Sequence, residues 1–152
     1  MRPTHLALIS LLVTTPAWGQ TPAAAGGPQW GPPPPFFPAG ARFAVMNGDP
    51  SKTGEYTVRL SMPAGYTIMP HFHPTDEHIT VISGTFLVGM ADAVDTTHVM
   101  RMAQGDFATA GAHVHHWARA QGRTVVQVHG MGPFAITYLN PSDDPRHTPA
   151  TR

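Results

Sequence analysis

Five of the ten histidines fall in two short clusters, His71 with His73 and His113 with His115 and His116. Neutral imidazole offers an unprotonated nitrogen, and histidine is the commonest protein ligand for metals. Gly65 to Gly84 reads GYTIMPHFHPTDEHITVISG. On a strand, His71 and His73 project to one face, with rings close enough to share one ion. Pro74 ends that strand, a short turn follows, and Glu77 starts the returning strand beside its partner. Two imidazoles and a carboxylate facing one point form a facial set that suits a divalent transition metal. The second cluster supplies further imidazoles. His115 and His116 lie on opposite faces of a strand, and a slip of one residue in register exchanges them. There is no cysteine, so thiolate sites and disulfides are both excluded.

These residues need a scaffold that turns often. From Ala41 onward the sequence predicts short strands over Arg42–Met46, Glu55–Ser61, Tyr66–His73, His78–Ser83, Thr85–Met90, His98–Met102, Asp106–Ala110, Val114–Ala120, Thr124–Gly130 and Phe134–Leu139. They are rich in Val, Ile, Thr, Phe and Tyr, and turn residues separate them. Many short strands at this spacing imply an all-β sandwich or barrel. Ala91 to Thr97 has room for one helical turn, and no segment carries the pattern of a long amphipathic helix. Gly65 and Gly84 stand where the chain must turn tightly, which glycine permits.

The first cluster resembles the first cupin motif: Gly65, five residues, His71-x-His73, three residues, Glu77, six residues, Gly84. The second cupin motif aligns without a gap on GDFATAGAHVHHWARA, with Gly105 matching and His116 on the ligand position. Gly111 stands for its proline, His113 for its second glycine and Ala120 for its asparagine. The resemblance covers about residues 41 to 140 and is nearest to small bacterial cupin-domain proteins with PHFHPTDEH-like segments. It implies a cupin jelly-roll β-barrel (double-stranded β-helix). One metal ion would sit in its open mouth, held by His71, His73, Glu77 and His116. One or two coordination positions would be left for water, O2 or a substrate oxygen.

Related cupins include dioxygenases, isomerases, decarboxylases and oxalate-degrading enzymes. One reading is therefore a metalloenzyme of oxygenase or isomerase type acting on a small oxygen-rich molecule. The alternative is a non-catalytic module that holds metal or a small ligand; a metal-free structural jelly roll is the third. An enzyme needs an acid or base beside the open coordination position, and the candidates are His113, Gln127 and His129. Gln127 and His129 share one face of their strand, and Val126 and Val128 share the other. The pair lines the cavity or faces solvent, depending on which face packs. His78 points away from the site.

Composition narrows the partners. Nine Lys plus Arg balance nine Asp plus Glu, and charged residues are 12% of the chain. No basic face is available for nucleic acid or for a polybasic membrane anchor. Leu6 to Val13 is an apolar run too short to span a bilayer, and Ala17-Trp18-Gly19 places small residues at a cleavage spacing. Residues 1–19 are thus expected to be a signal peptide, which places the mature protein in the periplasm or outside the cell. There is no twin arginine, so the chain is expected to cross unfolded and to acquire metal outside. In open competition a nitrogen and oxygen site takes Zn or Cu ahead of Fe, Mn or Ni. Residues 20–40 form a Pro/Gly-rich linker or arm, free or pinned by Trp30, Phe36 and Phe37. The same aromatics could cross to a neighbour in a homodimer. Residues 141–152 are expected to be a polar, frayed tail.

Overall fold

The computed structural model describes residues 26–147, so the predicted signal segment lies outside the described residues. The strands are β1 (Arg42–Asn47), β2 (Gly54–Met62), β3 (Thr67–Phe72), β4 (Glu77–Ser83), β5 (Thr85–Gly89), β6 (Met100–Ala103), β7 (Phe107–Ala110), β8 (His116–Ala120), β9 (Thr124–Gly132) and β10 (Thr137–Tyr138). Each predicted segment overlaps one of them. They form two antiparallel five-stranded sheets, β1-β2-β9-β4-β7 and β10-β3-β8-β5-β6. This is the cupin jelly roll. Among the described residues no ladder joins one sheet to the other, so side chains close the barrel.

Alternation decides which side chains do so. Strand β2 buries Tyr56, Val58, Leu60 and Met62 and turns Glu55, Thr57, Arg59 and Ser61 outward. It pairs in unbroken register with β9, whose Val126 and Val128 join the same core. Ile79 and Val81 of β4 extend it, and Ile68, Phe86, Val88 and Ala118 face it from the other sheet. Gly84 has φ 85° in the tight β4–β5 turn, and a Cβ there would collide with the Arg123 carbonyl. On the outer face Trp117 is fully buried opposite Gly89, where a Cβ would collide with the indole.

The Pro-rich arm folds onto its own barrel. Gly31 pairs with Phe43 of β1 through two backbone hydrogen bonds. The Tyr138 hydroxyl donates to the Phe36 carbonyl at 2.8 Å, and the Tyr66 hydroxyl donates to the Pro38 carbonyl at 2.6 Å. Phe37 is buried in the core, and Phe36 packs against it. Burying one such ring contributes about 1.5–3 kcal/mol. The arm therefore runs from edge strand β1 toward edge strand β10, across the seam between the sheets.

The segment expected to fray is ordered as far as it is described. Pro141–Asp143 and Pro145–His147 form two 3-10 turns. Arg146 clamps Asp144 between them, and its Nη2 also donates to the Ile136 carbonyl at 3.3 Å. The spacing of the prolines allowed this, because each begins a turn whose first N–H needs no partner.

Candidate metal centre

Three strands, with the residue that follows one of them, bring the predicted donors to one end of the barrel. His71 lies near the end of β3, and His73 lies just beyond it. Glu77 opens β4 and His116 opens β8. All four are buried, with exposures of 2%, 2%, 8% and 1% in chain order. A β-bulge aims the first of them. Ile68 pairs with Ala118 and His71 with His116, so Met69 and Pro70 together oppose Trp117. In a regular strand residues three apart, such as Ile68 and His71, face opposite sides of the sheet; across the bulge both are buried. Proline is tolerated at the bulge because the ladder there needs no N–H. The pairing also selects His116 over His115, which faces outward and donates its Nδ1–H to Asp92 at 2.7 Å.

Each imidazole is locked in one orientation by a backbone carbonyl. The Nδ1–H of His71 donates to Met69 at 2.7 Å, that of His73 to Ala135 at 2.7 Å, and that of His116 to Val114 at 3.0 Å. A carbonyl can only accept, so the proton of each neutral ring is on Nδ1 and the Nε2 lone pair is free. The ligand nitrogens of the three rings all lie within 4.8 Å of one another. Glu77 Oε2 lies 3.4 Å from His73 Nε2 and 3.6 Å from His116 Nε2. The buried His71, His73 and His116 could therefore hold one metal ion. His73 Nε2 is buried with no hydrogen-bond partner, the expected state of a nitrogen shaped for an ion.

His73 and Glu77 favour a positive charge between them. Burial, reinforced by His116 and His73, pushes the His71 imidazole down to about 3. Burial also opposes charge on His73, but the facing Glu77 carboxylate outweighs it and raises that group. For Glu77 burial pushes upward, and the attraction of His73 and His116 outweighs it, holding the carboxyl below its usual range. A neutral His73 would face the carboxylate lone pair to lone pair. One positive charge between them, proton or metal, relieves that contact.

The barrel interior holds a cavity of about 30 Å³, bounded by the four donors and otherwise by apolar side chains such as Phe37, Ile68 and Phe134. The Phe134 ring stacks on His73 at 5.3 Å. The acid–base candidates lie elsewhere. Gln127 and His129 are on the outer face of β9, where Arg59 holds Gln127 and His129 stacks on His78 at 4.8 Å. His78 faces away from the site, as expected, beside Thr109 Oγ1 at 2.9 Å. His113 is exposed in the turn before β8 rather than on the strand. It has φ 61°, at the position where the cupin motif places glycine, and its N–H donates to the His73 carbonyl at 2.9 Å. Its ring and that of His115 both lie against Phe72, a shared face set by the turn and not by strand alternation. Phe134 and the Ala135 carbonyl were not found from the sequence. Gly130-Met131-Gly132-Pro133 read only as a turn, and a carbonyl acceptor has no side-chain signature.

No protein-family model matches the sequence, and no curated protein matches it. Solved structures do. An acetylacetone dioxygenase from Acinetobacter johnsonii superposes with a TM-score of 0.63 at 12% identity, covering 88% of this chain and 87% of that one. KdgF from a Halomonas species gives 0.52 at 21% identity, over 68% of this chain and 86% of that one. An RmlC-like cupin from Shewanella frigidimarina gives 0.51 at 18% identity, over 62% and 80%. At these identities the likeness shows the fold, and the fold is that of the cupins.

Proposed function

We propose that this protein is an exported mononuclear metal cupin whose His71, His73, Glu77 and His116 hold one divalent transition metal. The reaction we assign it is of oxygenase type, on a small oxygen-bearing molecule. The observation that carries the metal site is the grouping of three buried imidazoles, each fixed by an Nδ1–H bond to a carbonyl, with the Glu77 carboxylate beside two of them. When bound, the metal supplies Lewis acidity or, if redox-active, oxygen activation. The chain's own contribution is to orient four donors, exclude bulk water and surround the open positions with apolar walls. Those walls carry no acid or base besides the donors. An isomerase must move protons between carbon positions, and hydrolysis needs a positioned base, so both fit this cavity poorly. The acetylacetone dioxygenase that shares the fold is named for chemistry of the proposed kind.

The same lack of an acid or base favours a second reading, a module that holds metal or a small ligand without turnover. Metal identity separates the two. A chain that folds outside the cytoplasm meets Zn and Cu in open competition, and of these only Cu supports oxygen chemistry. Elemental analysis of natively exported protein, without added metal, is the test. Stoichiometric Cu supports the oxygenase reading. Stoichiometric Zn supports the binding module. Fe or Mn overturns the competition argument and keeps the oxygenase. A protein without metal overturns the site. Export is tested by sequencing the mature N-terminus, expected near Gln20. A homodimer is proposed as well, and a concentration-independent monomer mass in sedimentation counts against it.

A further inference from the structure

The cavity beside the four donors is small. At about 30 Å³ it accommodates on the order of one or two waters or a diatomic molecule. Its walls are short on charge, so what enters in this state is small and neutral. A larger molecule reaches the donors only if part of the wall moves. Most of the wall consists of strands held in two five-stranded ladders. Phe37, His73, Phe134 and Ile136 lie outside the strands, and of these Phe37 alone belongs to the arm. It lines the cavity from the seam where the two sheets share no ladder.

The arm also backs the ring that touches the site. Phe134 stacks on His73, and behind it lie Phe36 at 5.7 Å, edge to face, and Phe37 at 6.0 Å. The neighbouring Ala135 carbonyl is the acceptor that orients His73. Few polar ties hold this arrangement: the hydroxyls of Tyr66 and Tyr138 on two arm carbonyls, the Arg42 guanidinium on the Trp30 carbonyl and the Gly31–Phe43 bridge. Segments held by few hydrogen bonds open locally at lower cost than sheet interiors.

Building on the metal centre proposed above, we infer that the N-terminal arm is part of the ligand pocket and that Phe37 sets its size limit. With the arm seated, the pocket takes water-sized or diatomic neutral ligands. An organic ligand is admitted through the seam between β1 and β10 when residues 36–38 lift. The arm, outside the span that resembles a cupin, thus determines specificity at the site.

The test is access to the buried imidazoles in metal-free protein, using diethyl pyrocarbonate and mass spectrometry, well below the melting temperature of each variant. His98, whose side chain is 86% exposed, is the internal standard. In the wild type, His73 should react roughly tenfold or more slowly than His98, because reaction requires opening. Phe37→Ala should raise the His73 rate severalfold and leave His98 unchanged. Phe37→Ala also removes core, so Tyr66→Phe is the second variant. It frees only the Pro38 carbonyl and should raise the same rate. With Co2+ loaded, imidazole, which exceeds the cavity, should alter the visible spectrum of Phe37→Ala and leave that of the wild type unchanged. If both variants label at the wild-type rate, or if imidazole reaches the wild-type ion freely, the inference is overturned. If no metal binds but labelling responds as expected, the metal reading fails and the role of the arm stands.

Discussion

His73 and Glu77 face each other at 3.4 Å, Nε2 to Oε2, while the other nitrogen of the imidazole is engaged by the Ala135 carbonyl. This geometry leaves one place for one cation, and it makes metal and proton competitors. His73 is raised above its ordinary 6.5, so in metal-free protein its proton stabilises the fold below that value and is lost as pH climbs through the raised one. Glu77 is depressed below its ordinary 4.5, so its contribution is present above 4.5 and disappears in stronger acid. The metal-free pair is therefore most stabilising between those two values. Metal replaces the proton, and the melting-temperature increase on adding metal should grow from about pH 6 to about pH 8. An increase that is flat or shrinks over that range contradicts the competition.

The adjacent histidines of the second cluster should behave differently. His116→Ala removes an inward donor, and His115→Ala removes an outward ring paired with Asp92. His116→Ala should weaken metal binding by more than the roughly 10–100-fold that loss of an outer hydrogen bond costs. His115→Ala, and likewise His129→Ala, should change it little. Competition titration against a chromophoric chelator measures all three. Equal losses for His115 and His116 would place the register elsewhere.

Gly130 is placed to keep Glu77 in position. It pairs with Glu77 across β4 and β9, and a Cβ on it would lie 2.7 Å from the Asp76 carbonyl and 3.1 Å from the Tyr56 hydroxyl. Backbone cannot give way as a flexible side chain does. Gly130→Ala should cost about 1–3 kcal/mol in urea unfolding and also lower metal affinity by displacing the 74–76 turn. Wild-type stability with full metal binding would show that the turn yields freely.

The C-terminal clamp should matter in acid. Hydrogen bonds from Arg146 hold the Asp144 carboxyl down at about 2, against an ordinary 3.8. A depressed carboxyl contributes stability above its ordinary value and loses it as pH falls through the lowered one. Asp144→Asn should therefore narrow its stability deficit to the wild type between about pH 4 and about pH 2. Hydrogen exchange should locate the loosening at residues 136–147. A deficit independent of pH would assign the clamp to packing instead.

Strand alternation, turn residues and donor spacing were legible in the sequence because they are local. A period of two puts His71 and His73 on one side wherever the strand lies, and Pro74 and Gly84 punctuate it whatever surrounds them. The ten strands followed from the same pattern, with ends displaced by at most two residues except at the last, which shortens to Thr137–Tyr138. Alternation alone could not choose between His115 and His116. The choice depends on pairing with β3, and that register is shifted by a bulge whose extra residue shows only in the ladder. The carbonyls that fix the three tautomers belong to Met69, Val114 and Ala135. Every residue has such a carbonyl, so none is marked in a sequence. The arm was equally open, free or pinned, because a proline-rich stretch has no ladder of its own. Only the packed structure decided it: two sheets joined by no ladder leave a seam, and Phe37 is buried there with the core.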